Sequence, residues 1–325
     1  MKMKKIASEL ENITSVAIAG HIRPDGDCVG SCMGMYLYIK ENFPQIQEVC
    51  VYLEPVSGSY GMIPDMDRIV SDFSEDKVYD LCIALDSGDT KRLGGAAKYL
   101  ETAKRTVCID HHVSNRGYAD VNYIVPEASS TCELLYGLMD PEKITVPVAS
   151  ALYMGIVNDT GVFQYSCTSP QTMRIAADLM EKGIDFTRIV EETFFEKTYL
   201  QNQILGRALL ESMMLLDGRC VVSAIKQKDL EFYGVTPADL DGISSQLRST
   251  KGVEVAIFLY ESGVQEYKVS MRSSHIVDVS KIAVYFGGGG HVRAAGCTMQ
   301  GSIYDVVNNL TKHIEKQLLA QENTQ

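Results

Sequence analysis

Residues 14–34, "TSVAIAGHIRPDGDCVGSCMG", place a short apolar run directly before His21, Asp25 and Asp27. The apolar run is typical of a buried strand and the residues after Asp27 of a helix, so the stretch predicts a strand, a turn and a helix. In open α/β sheets, ligands bind beyond the carboxyl ends of the strands, where these three polar residues stand. Taken alone, "PDGD" is also a common turn, so this stretch leaves open whether it is only a turn or a metal site.

The first half of the chain repeats this alternation of strand and helix. The apolar runs "VCVYL", "DLCIALD" and "TVCID" are separated by helical patterns and predict buried parallel strands. Residues 197–216 predict one long helix, and the pattern then changes to longer strands with a C-terminal helix. We therefore predict an α/β fold: a mostly parallel sheet with flanking helices in residues 1–185, a helical linker in 186–215 and a smaller α+β domain in 216–325.

Composition narrows the class of protein. The sequence has 30 Lys and Arg against 42 Asp and Glu, and this net charge of −12 argues against a protein that grips long duplex nucleic acid. No apolar run is long enough to cross a bilayer, so we expect a cytoplasmic protein with no membrane partner. The nine cysteines are scattered and mostly lie in apolar runs, which favours reduced thiols in the core.

Further polar residues follow other apolar runs. Asp86 comes after one run, and Asp110, His111 and His112 come after another. Asp159 ends an apolar helix, where an Asn-Asp turn is the plain alternative. Together with the first motif, these residues mix carboxylates and imidazoles in numbers that exceed the needs of one ion.

This donor set predicts a pair of divalent cations. Manganese suits it first, with magnesium or iron as alternatives, and structural zinc is disfavoured. Two ions close together are a known solution for in-line attack on phosphorus. Gly26, between Asp25 and Asp27, is predicted to let the loop turn sharply enough to aim one carboxylate at each ion.

The motifs "HIRPDGDCVGS", "ALDSGD", "DHH" and "NDTG" occur in the order found in the DHH phosphoesterase superfamily, which the first 185 or so residues resemble. In the second half, "SMRSS", "VDVSKIA" and "FGGGGHVRAAG" resemble the DHH-associated nucleic-acid-binding domain. Together the motifs look like the nanoRNase and pAp-phosphatase branch of that superfamily.

The resemblance implies two sets of metal ligands that share one bridging aspartate. One ion would be bound by His21, Asp25 and Asp86. The other ion would be bound by Asp27, Asp86, His111 and Asp159. Asp110 would support the pair from behind, and His112 would face the scissile phosphate as a second catalytic residue. Cys28 departs from the family pattern, which usually has a small residue there, and its thiol bears on the choice of metal.

The same resemblance implies that the glycine run before His291 forms a clamp for one end of the substrate. The residues implied in this clamp are Arg272, Ser273, Gly288, Gly289, Gly290 and His291. Arg293 has a weaker claim, because an exposed arginine explains it equally well. No GKS or GKT follows the glycines, so they do not form a P-loop. His275 and His313 are given no catalytic role.

The resemblance implies a two-metal phosphohydrolase acting on short RNA, linear dinucleotides or 3′-phosphoadenosine 5′-phosphate (pAp). Two alternatives remain: a manganese-dependent inorganic pyrophosphatase, and a nucleotide-binding protein that has lost its chemistry. The sequence ranks neither the nucleotide substrates nor manganese against magnesium in the cell. It also leaves the oligomeric state open, with a homodimer among the alternatives.

Overall fold

The computed structural model describes residues 6–322, which divide between Glu196 and Lys197 into two compact units. The strands of the first unit are β1 Ser15–Ala19, β2 Glu48–Tyr52, β3 Ile69–Val70, β4 Leu81–Leu85, β5 Thr106–Asp110 and β6 Val121–Ile124. Its α-helices are α1 Gly26–Asn42, α2 Ala97–Thr102, α3 Thr131–Leu138, α4 Val146–Asp159, α5 Pro170–Glu181 and α6 Phe186–Val190. A π-helical turn, Glu191–Phe195, follows α6.

The strands of the first unit form one sheet in the order β3-β2-β1-β4-β5-β6, and every neighbouring pair is parallel. The chain runs outward from β1 to β3 and then returns to place β4 on the other side of β1. The strand order therefore reverses between β1 and β4, which makes the carboxyl ends of these two strands the topological switch point of the sheet.

Helices cover both faces of this sheet. On one face α1, α3 and α4 bury the apolar side chains of the strands in the larger core. On the other face a smaller cluster joins strand alanines to the aromatic side chains of Tyr52, Tyr79 and Tyr99. Close packing of α1 on α4 depends on Gly30, because a Cβ there would lie 2.5 Å from the carbonyl oxygen of Ala151. The start of α1 is thereby held beneath the carboxyl end of the sheet.

The second unit is a mixed sheet with helices. Its strands are β7 Met213–Leu215, β8 Cys220–Ile225, β9 Val255–Gly263, β10 Glu266–Ser273, β11 Gly289–His291 and β12 Ala294–Gln300. Its α-helices are α7 Tyr199–Leu210, α8 Gln227–Tyr233, α9 Ile243–Arg248, α10 Val279–Tyr285 and α11 Ile303–Glu322. The strand order is β11-β12-β10-β9-β8-β7, in which β8 and β9 are parallel and the other pairs antiparallel. These two sheets confirm the predicted fold class.

The prediction of one long helix over 197–216 is wrong at its C-terminal end. Helix α7 stops at Leu210, and Met213–Leu215 forms an edge strand paired with β8. Leu216, Asp217 and Gly218 take left-handed backbone conformations and turn the chain back into β8. Residues "ESMML" have a helical preference, but the hairpin with β8 outweighs it. A helix continued through these residues would lose the backbone hydrogen bonds between β7 and β8. Among the described residues, no helix is both long and apolar enough to cross a membrane.

Candidate metal centre

Three neighbouring strands and one helix end deliver the predicted polar residues to one place. His21 follows β1, Asp86 follows β4, and β5 ends at Asp110 with His111 directly after it. These strands are adjacent and parallel, so their carboxyl ends meet at the same edge of the sheet. Asp159 is the last residue of α4 and approaches the same edge from a covering helix.

Asp86 lies at the centre of the cluster. Its Oδ2 is 3.4 Å from Nε2 of His21, and its Oδ1 is 3.5 Å from Nε2 of His111. The two oxygens of one buried carboxylate therefore face two different histidines. Asp86 also has a positive φ of 56°, a backbone conformation that costs energy for a residue with a side chain and is found preferentially at functional sites.

A second group lies on the far side of His111. Its Nε2 is 3.2 Å from Oδ2 of Asp159 and 4.0 Å from Oδ2 of Asp27. Asp27 is fully buried in the first turn of α1. The ligand atoms of Asp27, His111 and Asp159 lie within 4.8 Å of one another, a spacing that one metal ion can span.

Asp25 is placed differently from the other carboxylates. Its Oδ1 accepts a hydrogen bond from the backbone N–H of Cys28 and so caps α1, while lying 3.6 Å from Nε2 of His21. The side chain is 59% exposed. Gly26, between Asp25 and Asp27, does not form the predicted sharp turn: it has no positive φ, begins α1, and leaves the room that Asn158 occupies beside it.

The pKa values of the aspartates in the cluster are shifted because several carboxylates lie close together in a buried space. Burial raises the pKa of Asp27 to about 7, and burial followed by the charge of Asp27 raises the pKa of Asp159. Burial also opposes the charged form of Asp86, but hydrogen bonds and charge from His111 and His21 hold its pKa well below the usual range.

The two histidines respond in the opposite direction. Burial lowers the pKa of His111, but its hydrogen bond to Asp86 and the nearby carboxylates outweigh this and raise it to about 11. His21 follows the same pattern through Asp25 and Asp86, and its pKa also rises above the usual value. The cluster thus binds protons to offset its negative charge, and a donor set of this kind fits divalent cations, which would replace those protons.

Backbone and hydroxyl donors that the sequence analysis missed hold these carboxylates in position. The N–H groups of Thr131 and Cys132, in the first turn of α3, donate to the two oxygens of Asp27 at 2.7 and 3.0 Å. The hydroxyl of Thr131 donates to Oδ1 of Asp86 at 3.0 Å. The signal available in the sequence was "SSTCE", where Ser130 caps a helix and thereby marks a helix N-terminus.

His112 is held by its neighbour two residues back. Its Nδ1 is 2.7 Å from Oδ1 of Asp110, and the amide of Asn115 donates to the other oxygen of Asp110 at 2.7 Å. These contacts and burial set the pKa of Asp110 as well: burial would raise it, but His112 and Asn115 lower it. The pair Asp110 and His112 therefore has a defined orientation beside the cluster, with Nδ1 of His112 also 3.7 Å from Oδ1 of Asp86.

The predicted substrate residues lie in the second unit, on two faces of its sheet. Arg272 and His291 both pair with Ala294, which lies between them in the sheet, so their side chains leave the same face. Ser273 is the next residue along β10 and is buried on the opposite face, where its hydroxyl lies 3.4 Å from the carbonyl oxygen of Val292.

The glycine run has a structural cause at two of its positions. Gly290 has φ of 138°, and a Cβ there would lie 2.5 Å from the carbonyl oxygen of Ala294. A Cβ on Gly288 would lie 2.1 Å from the carbonyl oxygen of Gly296, while Gly289 faces open space. Close approach of β11 to β12 therefore requires Gly288 and Gly290 whether or not a ligand binds there.

Arg293 has a partner of its own. Its guanidinium donates to the carbonyl oxygen of Val277 at 3.0 Å and to that of His275. The buried carboxylate of Glu254 accepts the backbone N–H groups of the same loop, at residues 275 to 277. These contacts give Arg293 a structural role in the loop that follows β10.

Comparison with known proteins places both units. Residues 15–156 match the DHH family, N-terminal domain, and residues 217–320 match the DHHA1 domain. The chain carries a DHH domain and a DHHA1 domain. The two matches confirm the resemblance read from the sequence motifs.

Two relatives are similar to this chain over most of their own length. A probable bifunctional oligoribonuclease and PAP phosphatase NrnA from Streptococcus mutans is 28% identical over 95% of this chain and 99% of its own. The bifunctional oligoribonuclease and PAP phosphatase NrnA from Thermus thermophilus is 28% identical over 92% of this chain and 89% of its own.

A solved structure shares the fold of this chain. The crystal structure of an exopolyphosphatase-related protein from Bacteroides fragilis matches with a TM-score of 0.87. It is 23% identical and covers 96% of this chain and 94% of that one. At this identity the likeness establishes the fold alone.

Proposed function

We propose that this chain is a metal-dependent phosphohydrolase that degrades short oligoribonucleotides or linear dinucleotides and removes the 3′-phosphate from pAp. The observation that carries the proposal is the central position of Asp86, whose two oxygens face His21 and His111 at 3.4 and 3.5 Å. Two relatives named as oligoribonuclease and PAP phosphatase, each aligned over more than nine-tenths of this chain, support the substrate class.

The proposed ligands form two sets that share Asp86. One ion would be held by His21, Asp25 and Asp86, and the other by Asp27, Asp86, His111 and Asp159. When bound, two divalent cations lower the pKa of water and neutralise charge on phosphoryl oxygens. Manganese is the proposed metal and magnesium the alternative, because all of these donors are carboxylate oxygens and imidazole nitrogens.

We assign to His112 the role of stabilising the leaving group. Asp110 fixes the ring through Nδ1, and we propose that the other nitrogen, Nε2, faces the substrate. In the reaction, water oxygen bonds to phosphorus, the bond from phosphorus to the leaving oxygen breaks, and a proton reaches that oxygen. His112 would donate this proton or a hydrogen bond, and Asp110 would stabilise the positive charge on the ring.

The second unit supplies the proposed contacts to a terminal group of the substrate. Arg272 and His291 leave one sheet face on either side of Ala294, so both can contact a terminal phosphate or nucleobase above that residue. Gly289 leaves its backbone accessible beside them. Ser273 keeps only an indirect part in this proposal, since its hydroxyl lies on the buried face.

The proposal is tested with purified protein, manganese chloride and three separate substrates: a 5′-phosphorylated dinucleotide, pAp and inorganic pyrophosphate. We expect nucleotide and phosphate release from the first two. Asp86→Asn should lower the rate at least about 100-fold, because replacing even an outer partner of a metal ligand costs about 10- to 100-fold. The control Asp76→Asn changes an aspartate whose side chain is 95% exposed and should keep full activity.

Three results would contradict the proposal. Hydrolysis of pyrophosphate alone would make the chain a pyrophosphatase. Tight binding of pAp without turnover, with or without manganese, would make it a nucleotide-binding protein. Equal rates for the wild type and Asp86→Asn would place the reaction elsewhere in the chain.

A further inference from the structure

Cys28 places a thiol at one of the two proposed ion sites. It is the third residue of α1 and is fully buried. Its Sγ accepts a hydrogen bond from the backbone N–H of His21 at 3.2 Å. The ligand atoms of His21, Cys28 and Asp86 all lie within 4.8 Å of one another, and all three residues are buried.

This spacing suits direct coordination. With metal-to-ligand distances of about 2.0 to 2.3 Å, donors around one tetrahedral ion lie about 3.5 Å apart, and the His21 and Asp86 atoms are already 3.4 Å apart. Asp25, the other carboxylate near His21, is mostly exposed and caps α1. The thiol of Cys28, by contrast, is buried and lies within 4.8 Å of the ligand atoms of His21 and Asp86.

Packing alone is the competing explanation. The Sγ atoms of Cys28 and Cys32 both lie near Gly20, where a Cβ would meet them at 2.4 and 3.0 Å, so both thiols fill space beneath β1. Cys32 stands one helical turn further from the cluster and belongs to no group of candidate ligands among the described residues. Cys28 differs from Cys32 in having an imidazole and a carboxylate within ligand distance of its sulfur.

We propose that Cys28 Sγ is a ligand of the ion held by His21 and Asp86, and that it makes the two ion sites chemically unequal. On binding, the sulfur forms a bond to the metal and the thiol proton passes to solvent. The site with the thiolate should favour Zn²⁺, Co²⁺ or Fe²⁺, while the site of Asp27, His111 and Asp159 has only oxygen and nitrogen donors and should favour Mn²⁺. The inference rests on the proposed metal-dependent function and refines it.

Cobalt chloride tests the proposal without any measurement of activity. A cobalt-thiolate bond produces an intense near-ultraviolet absorption band, whereas cobalt bound only to oxygen and nitrogen gives weak visible bands. We expect the near-ultraviolet band in the wild type, in Cys32→Ala and in Cys132→Ala, and its loss in Cys28→Ala and Cys28→Ser. Cys132 is the matched control for the other site, since its backbone N–H donates to Asp27.

Metal selectivity provides the second measurement. Competition between Zn²⁺ and Mn²⁺, read as metal content after dialysis, should shift at least about tenfold toward Mn²⁺ in Cys28→Ser, since even outer partners of metal ligands change affinity by about 10- to 100-fold. Melting of each metal-free variant shows whether it is folded, and Cys28→Ser keeps the side chain close in size if Cys28→Ala fails to fold.

The outcomes separate this inference from the proposed function. Cobalt that binds and supports hydrolysis without a near-ultraviolet band in the wild type, or with a band that persists in Cys28→Ser, overturns the thiolate ligand and leaves the phosphohydrolase intact. No cobalt binding, together with no manganese-dependent hydrolysis, overturns both.

Discussion

Replacing Thr131 by valine removes one hydrogen-bond donor from the metal cluster and little else. The hydroxyl of Thr131 donates to Oδ1 of Asp86 at 3.0 Å, and both residues are buried. Valine has nearly the same shape, and the backbone N–H of residue 131 would still donate to Asp27. A hydrogen bond to a charged group contributes about 1.5 to 3 kcal/mol, so we expect the manganese dissociation constant to rise about 10- to 100-fold.

The assay is manganese binding followed by the paramagnetic resonance signal of free Mn²⁺. Thr131→Ser keeps the hydroxyl and should bind manganese within about threefold of the wild type, since it loses only a methyl group. Thr311→Val makes the same replacement in α11, where the hydroxyl bonds only to its own helix, and should leave manganese binding unchanged. Equal affinities for Thr131→Val and the wild type, or an equal loss in Thr131→Ser, would refute the orienting role of this hydroxyl.

Further perturbations test the catalytic pair, the helix contact and a surface carboxylate. Asp110→Asn should lower kcat by about 100-fold or more with little change in KM, measured by steady-state hydrolysis of pAp. Gly30→Ala should lower the free energy of unfolding in urea by about 1 to 3 kcal/mol, because the new Cβ would clash with a backbone oxygen. Gly206→Ala is the control: a Cβ there would have no atom within 4 Å, so this change should be neutral or stabilising. The pKa of Asp80 is lowered by a lysine ammonium and by backbone and hydroxyl donors, so its contribution to stability is complete above about pH 4 and is lost as pH falls further. Asp80→Asn should therefore unfold more easily than the wild type at pH 7, and the difference should shrink below pH 4; a constant difference would contradict this.

The sequence predicted the first unit well because its strands are continuous apolar runs. Buried parallel strands leave little choice of residue, so β1, β4 and β5 were readable directly. The same reasoning could bring Asp86 and His111 together, since carboxyl ends of adjacent parallel strands share an edge. Short or exposed strands carry a weaker pattern, and β3 and β7 were therefore not predicted.

What the sequence could not provide is contact between distant loops. Thr131 reaches Asp86 only because α3 begins beside the residue that follows β4, and no local pattern records which carboxylate a helix N-terminus will face. The glycines before His291 show the same limit: the sequence could not reveal that the backbone at Gly288 and Gly290 comes close to β12. A local run of small residues predicts that the backbone packs closely against another group, and only the folded structure shows which group that is.

Charge balance explains why so many carboxylates can share this buried space. Burial raises the pKa of Asp27 to about 7, and the hydrogen bond to Asp86 with the charges of Asp86, Asp27 and Asp159 raises that of His111 to about 11. At neutral pH His111 therefore holds a proton and Asp27 is partly protonated. Those protons occupy the place that divalent cations would take, since a ligand must give up its proton to bind a metal. Metal binding should therefore release protons and strengthen as pH rises, while the amides of Thr131 and Cys132 keep Asp27 aligned in either state. The N-terminus of α3 thus fixes the position of the Asp27 carboxylate whether protons or divalent cations balance its charge.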